Sequence, residues 1–405
     1  MSSTEMESTS EPSRAPEPVV VRAVTSGQGR DVRIDFIRGW VMMILVIIHT
    51  EIFSLWNLIA WERVGMISGG EGFVLVSGIV LGMVSRQRIA RSGFSDAASR
   101  LIDRALQLYR VHFTLILLVG ILALVFKEHV REITSFTNRG SGEVYGLYPT
   151  KTLNLRWLGQ IATLKCGPHQ VQILGLYVCL ILACPLMIAV LWKRRPMALL
   201  ALSWIIYLSN VVTPSHPTNA QFEYGFPVLT WQILFVHGLV VGYHFQEIVA
   251  WFHTRTGLIA FAVCVAIAMF FFVVTQGQTN SALPTWARLD AWPAFYQKVR
   301  SYCDKNTLGP LRLLNYGAFL VVLYAILTRW WPFFQRTMAW YFIPIGQASL
   351  YVFIMHLGLV QLASMIVPFG FKGNSLWATT AIHTSELVIL WMLVHWKVLF
   401  RWIPR

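Results

Sequence analysis

The chain has 405 residues, 56% of them hydrophobic and only 13% charged, with 17 Trp and 25 Phe, whereas a soluble domain carries about a quarter charged residues. A soluble enzyme is excluded. The net charge of +14 raises nucleic acid as a partner, but Lys and Arg gather at the ends of apolar blocks and in loops, not in one stripe with spaced aromatics, so no nucleic-acid partner is expected.

Residues 1–30 are rich in Ser, Glu, Pro and Thr and lack an apolar h-region, which predicts a disordered cytoplasmic tail and no signal peptide. From residue 31 to residue 405 the chain reads as one membrane domain. Apolar blocks fall at about 36–58, 66–84, 107–126, 171–192, 197–213, 228–246, 256–275, 311–328, 345–367 and 376–399, each long enough to cross a bilayer as a helix. These blocks are continuous, not the short alternating segments of a barrel. The predicted fold is an all-α polytopic membrane helix bundle with about ten transmembrane helices.

Basic residues in short loops set the orientation. Arg86, Arg88, Arg91, Arg100 and Arg104 lie between the second and third blocks, and Lys193, Arg194 and Arg195 follow the fourth. Those loops are expected to be cytoplasmic, together with both termini, where Arg14, Arg22, Arg30 and Arg33 precede the first block and Lys397, Arg401 and Arg405 follow the last. Two longer connections, 127–170 and 276–310, then fall on the outer face. No internal repeat of the kind common in transporters is visible. The five Cys include no CxxC pair, so neither a disulfide framework nor a metal site is expected.

Ionisable groups at membrane depth are costly, and each is a functional candidate or a structural pair. The first block holds Asp35, Arg38, His49 and Glu51. Arg38 and His49 are eleven positions apart, which on a helix returns to nearly the same face after a rise of roughly 16 Å. A cation at one surface can grip phosphate. A buried histidine, with an ordinary pKa near about 6.5, can take the proton of a hydroxyl nucleophile. The bland alternative is an arginine snorkelling to headgroups and a histidine bonded to a neighbouring helix.

The second block opens with GGEGFVLVSGIVLG. Its Gly78 and Gly82 have the spacing that lets another helix approach closely, and Glu71 is placed to pair with His49 or Arg63 or to face water. Arg104 and Arg110 flank QLY at the start of the third block and, with Arg86 and Arg88, form a basic surface suited to an anionic nucleotide donor, although Arg86, Arg88 and Arg91 also read as plain topology signals. Later blocks contribute Gln172, Gln232, His237, His356, His383 and Glu386, several of which are expected only to bond across helices.

DFIRGWVMMILVIIH, GGEGFVLVSGIVLG and GQASLYVFIMH give the chain a resemblance to the membrane-bound acyltransferase three superfamily, the first matching its Arg-x10-His motif. Within it, RALQLYRVHF, QILGLYV, LTWQILFVHG and GPLRLLNY make the chain most similar to the OpgC family, succinyltransferases of osmoregulated periplasmic glucans, from about residue 31 to residue 360. The resemblance implies a bacterial inner-membrane enzyme moving an acyl group from cytoplasmic acyl-CoA, with succinyl-CoA favoured as donor, to a hydroxyl of an extracytoplasmic glucan. It puts His49 in the position of the catalytic histidine and Arg38 in that of its partner, and His356 matches a late-span histidine. Trp231 and Gln232 match an OpgC-type pair, assigned with Gln172 and His356 to the substrate site. The chain departs from the family pattern where an acidic residue and a proline are common, having Gln172 and Gly175, which leaves a carboxylate relay there without support. Coenzyme A would lie against Arg38, Arg104 and Arg110, with His49, Arg38 and Glu71 as the catalytic set. A transporter or flippase, an O-acetyltransferase acting on another envelope glycan, and a non-catalytic assembly partner stay open as alternatives, as does oligomeric state.

Overall fold

The computed structural model describes residues 31–60, 62–126, 130–137, 143–148, 155–277, 291–367 and 374–404. The predicted tail, residues 1–30, lies outside the described residues, as do parts of both long connections.

The chain begins with α1 (Val32–His49), the short α2 (Asn57–Ala60) and α3 (Gly69–Phe126). A small outwork follows: α4 (Arg131–Thr134), the antiparallel strands β1 (Ser135–Thr137) and β2 (Val144–Gly146), which pair Ser135 with Gly146, and α5 (Leu155–Ala162). The bundle continues through α6 (Gln172–Trp192), α7 (Pro196–Val212), α8 (Val228–Tyr243), α9 (Phe245–Trp251) and α10 (Arg255–Thr275). It closes with α11 (Ala291–Ser301), α12 (Pro310–Arg329), α13 (Trp331–Thr337), α14 (Ala339–Gln347), α15 (Ser349–Ile366) and α16 (Leu376–His395).

Each of the ten apolar blocks of the sequence falls on a helix of this set. By length and apolarity alone, six of the described helices can cross a membrane, or seven if α8 and α9, bent by 81° to each other, form one span. The smaller number has physical causes. Helix α1 carries Arg33, Asp35 and Arg38 near its start, α7 is only 17 residues long, and the second and third blocks belong to one long helix. That helix turns at Gly93, whose φ of 84° and ψ of 173° interrupt the helical path; a β-branched or bulky residue there would be strained.

The core of the bundle is α3 packed against α8 and α6, with α1 against α14. The predicted close approach at Gly78 and Gly82 is met by Gly238 and Gly242 on α8. A Cβ at Gly82 would lie 2.2 Å from the Leu239 carbonyl oxygen, and one at Gly242 would lie 1.9 Å from that of Ile79. Small residues spaced four apart on both helices thus bring the two backbones into contact, which is how helices associate when no hydrophobic gain separates them from lipid.

Candidate functional site

Helix α1 begins with Asp31 as its cap: the carboxylate accepts from the backbone N of Arg33 at 2.9 Å and from that residue's guanidinium, and Tyr324 donates to it at 2.7 Å. This ties α1 to α12 at the start. One turn on, Gly39 of α1 meets Gly346 of α14, where a Cβ at Gly346 would lie 1.9 Å from the Asp35 carbonyl oxygen. That contact brings the start of α15 against α1. Arg38 donates through Nη2 to the Ser349 hydroxyl, and its Nη1 is 3.8 Å from Asp35.

At the other end of α1, His49 Nδ1 lies 2.8 Å from His356 Nε2, and the two rings stack with centroids 5.0 Å apart. The hydrogen-bond directions follow. His356 Nδ1 is 2.5 Å from the Phe353 carbonyl oxygen, which can only accept, so that nitrogen carries the proton. In the neutral pair His356 Nε2 is then an acceptor and His49 Nδ1 donates to it. The lone pair of His49 Nε2 is then left over, and among the described residues nothing bonds to it. Arg38 and His49 therefore both turn toward α15, meeting Ser349 and His356 two helical turns apart.

The Arg38 end opens into a cavity of about 360 Å³, within the range of ligand sites. Arg38, Arg88, Arg100 and Arg104 line it, with Tyr177, Ser349 and a belt of aliphatic side chains. Asp96 is the carboxylate nearest two of them, 3.5 Å from Arg88 and 3.6 Å from Arg100, and Arg88 Nη1 makes no hydrogen bond among the described residues. Four guanidinium groups lining one cavity make a site for a polyanion. The inner wall is aromatic. Phe73 lines the cavity and stacks on Phe353 at 5.8 Å, and Phe353 in turn meets the His49 ring edge-on at 6.4 Å. One aromatic layer separates the arginine cavity from the imidazole pair.

Arg104 lines the cavity, whereas Arg110 is exposed and does not. Of the arginines that read as topology signals, Arg88 and Arg100 join the cavity, and Arg86 instead pairs with Glu247. Glu71 meets neither His49 nor Arg63. It is fully buried and accepts from Arg312 Nε at 2.5 Å and from the backbone N of Ser68 at 2.9 Å; Arg312 also donates to Glu62 at 2.7 Å and to the Cys303 carbonyl at 2.9 Å. Trp231 donates to the Asn306 carbonyl at 3.1 Å and packs on Phe226. Gln232 exchanges hydrogen bonds with Ser203 of α7, accepting at 2.7 Å and donating at 2.8 Å. Gln172 opens α6 half-buried, beside the turn where His169 Nε2 lies 3.2 Å from Glu51. His237 bonds Trp204 of α7, His383 bonds Ser54 at 2.7 Å, and Glu386 meets the Thr50 hydroxyl at 2.9 Å. Among the described residues no group of three or more His, Cys, Asp or Glu is placed to hold a metal ion.

Residues 30–402 match the family model described as OpgC protein, nearly the whole chain. The chain belongs to the OpgC family. No curated protein and no solved structure matches it. The match spans every feature of the site, from the Asp31 cap through Arg38, His49 and the arginine cavity to His356. Membership implies a transferase of the cell envelope held in a membrane.

Proposed function

We propose that this OpgC-family protein moves an acyl group, with succinyl favoured, from cytoplasmic acyl-CoA to a hydroxyl of periplasmic glucan. In this reading the chain crosses the bacterial inner membrane about ten times with both termini in the cytoplasm, and the arginine cavity faces the cytoplasm. The observation that carries it is that one helix, α1, holds a guanidinium lining a four-arginine cavity and, on the same side, a histidine whose partner fixes its bare nitrogen.

The phosphates of the donor lie against Arg38, Arg88, Arg100 and Arg104. The pantetheine arm passes the Phe73 and Phe353 rings, which otherwise keep water from the thioester. The glucan hydroxyl arrives from the opposite end of α1. His49 Nε2 takes its proton as the oxygen attacks the thioester carbonyl, the C–S bond breaks, and the thiolate leaves with coenzyme A. An acyl-imidazole on Nε2 is the two-step form of the same transfer. His356 holds His49 in the required tautomer, and Glu71 works through the Arg312 pair as a scaffold of the outer end.

The test is mass spectrometry of envelope glucan from cells with and without the protein. Added succinyl mass that depends on the protein supports the reading, acetyl mass changes the donor, and unmodified glucan in both sinks it.

A further inference from the structure

Toward the His49 end of α1 lies a second cavity, open to solvent and of about 370 Å³, which no part of the donor uses. Its wall is Glu62, Gln297, Arg300, Ser301, Cys303, Asp304, Lys305 and Arg312; only Cys303 lacks a strongly polar side chain. Arg312 connects it to α3. It bonds both Glu62 in the cavity wall and Glu71 on α3, one turn from where Gly69 packs on Ile44 and Leu45 in the outer half of α1.

The loop between α11 and α12 is held as a fixed platform. Asp304 accepts from the backbone N and the hydroxyl of Thr307, both at 2.8 Å. Arg312 holds the Cys303 carbonyl, Trp231 holds that of Asn306, and Tyr207 donates to that of Leu308 at 2.8 Å. Lys305 stands in the middle, and among the described residues no carboxylate pairs with it. Trp231, buried completely, thereby acquires a role: it anchors this platform from α8.

The charges decide what fits. Among the described residues the wall carries Arg300, Lys305 and Arg312 against Glu62 and Asp304, and Glu71 behind the wall pairs with Arg312, so the charges come close to cancelling. A balanced wall does not concentrate a polyanion, in contrast to the arginine cavity at the other end. Interleaved ammonium, amide, hydroxyl and carboxylate groups present donors and acceptors together, which suits a neutral ligand with adjacent hydroxyls.

We infer that this cavity is the acceptor subsite, taking neutral sugar residues of the glucan, with Lys305 and Gln297 as direct hydrogen-bonding contacts. The inference rests on the acyl-transfer reading for its purpose but not for its test, because binding is measured without donor. Glucan oligosaccharide is titrated calorimetrically into the detergent-purified full-length protein, and into Lys305→Ala and Gln297→Ala. Both side chains are exposed, so these variants keep the fold. Each is expected to weaken binding, Lys305→Ala by about tenfold or more, as befits loss of a charged hydrogen bond. Unchanged affinity in both variants, or no glucan binding by the unaltered protein, overturns the assignment. Glucan binding with no acyl transfer from any acyl-CoA would instead defeat the transferase reading and leave the cavity standing.

Discussion

His49 on α1 and His356 on α15 form a pair, Nδ1 to Nε2 at 2.8 Å, in which the Phe353 carbonyl at the far nitrogen of His356 dictates the direction of the hydrogen bond. Under the proposed mechanism the base is thus held, among the described residues, by a second imidazole. His356→Ala is expected to lower kcat by about a hundredfold, because the wrong tautomer of His49 becomes available, with little change in KM for acyl-CoA. His356→Gln offers an amide oxygen to the same proton and is expected to recover part of the loss. Steady-state kinetics of the two variants separates positioning from packing, since a packing role predicts equal losses.

The arginine cavity makes a prediction about donor affinity. Arg88→Ala, Arg100→Ala and Arg104→Ala are each expected to raise KM for acyl-CoA by about tenfold, since charged hydrogen bonds contribute about 1.5–3 kcal/mol. Arg110→Ala, outside the cavity, is expected to change it less than twofold. Equal effects at all four positions would mean a diffuse surface field and no defined phosphate site.

The buried pair of Glu71 and Arg312 is expected to act on stability. Replacing Arg312 by Leu leaves Glu71 buried without its cation, a change that costs about 3–5 kcal/mol. Thermal unfolding in detergent should show a large loss for Arg312→Leu, and a smaller one when Glu71→Gln is added to it. A single variant as stable as the parent protein would show that the pair is not needed for the fold.

Asp304 gives the loop between α11 and α12 a pH dependence. Burial raises its carboxyl pKa, but the hydrogen bonds from Thr307 and the charge of Arg312 outweigh this and hold it below the ordinary value of 3.8. A carboxyl whose folded pKa is depressed contributes stability that is present above the unfolded pKa and is lost as pH falls through the folded one. Protection of the Thr307 amide against hydrogen exchange should therefore be constant near neutrality and fall below about pH 4. Asp304→Asn should remove that dependence. Protection that is flat down to low pH in the parent protein would contradict it.

Much of this architecture is legible in the residues because lipid leaves few choices. The ten apolar blocks fall on nine of the described helices, the second and third sharing α3, and the Gly78 and Gly82 spacing announces a close contact that Gly238 and Gly242 complete. The Arg38 and His49 spacing gives their common face. The partners are not legible, because they come from distant helices. Nothing local distinguishes Arg312 from any arginine in the first turn of a helix, and its motif, GPLRLLNY, shows nothing of Glu71, which lies 241 positions away. Arg88 and Arg100 resemble topology signals because a cationic donor site on the cytoplasmic side would use the same residues in the same loop. The resemblance matches Trp231 and Gln232 as a pair, yet they face different neighbours. Trp231 reaches the loop before α12 and Gln232 reaches α7, as adjacent residues on a helix must diverge.

The most direct measurement is thiol release and acyl transfer by purified His49→Ala, given labelled succinyl-CoA and glucan beside the unaltered protein. Loss of a general base costs about a hundred- to ten-thousand-fold, so transfer should all but vanish while thermal unfolding and coenzyme A binding stay at parent values. Transfer within a few-fold of the unaltered protein would contradict the account.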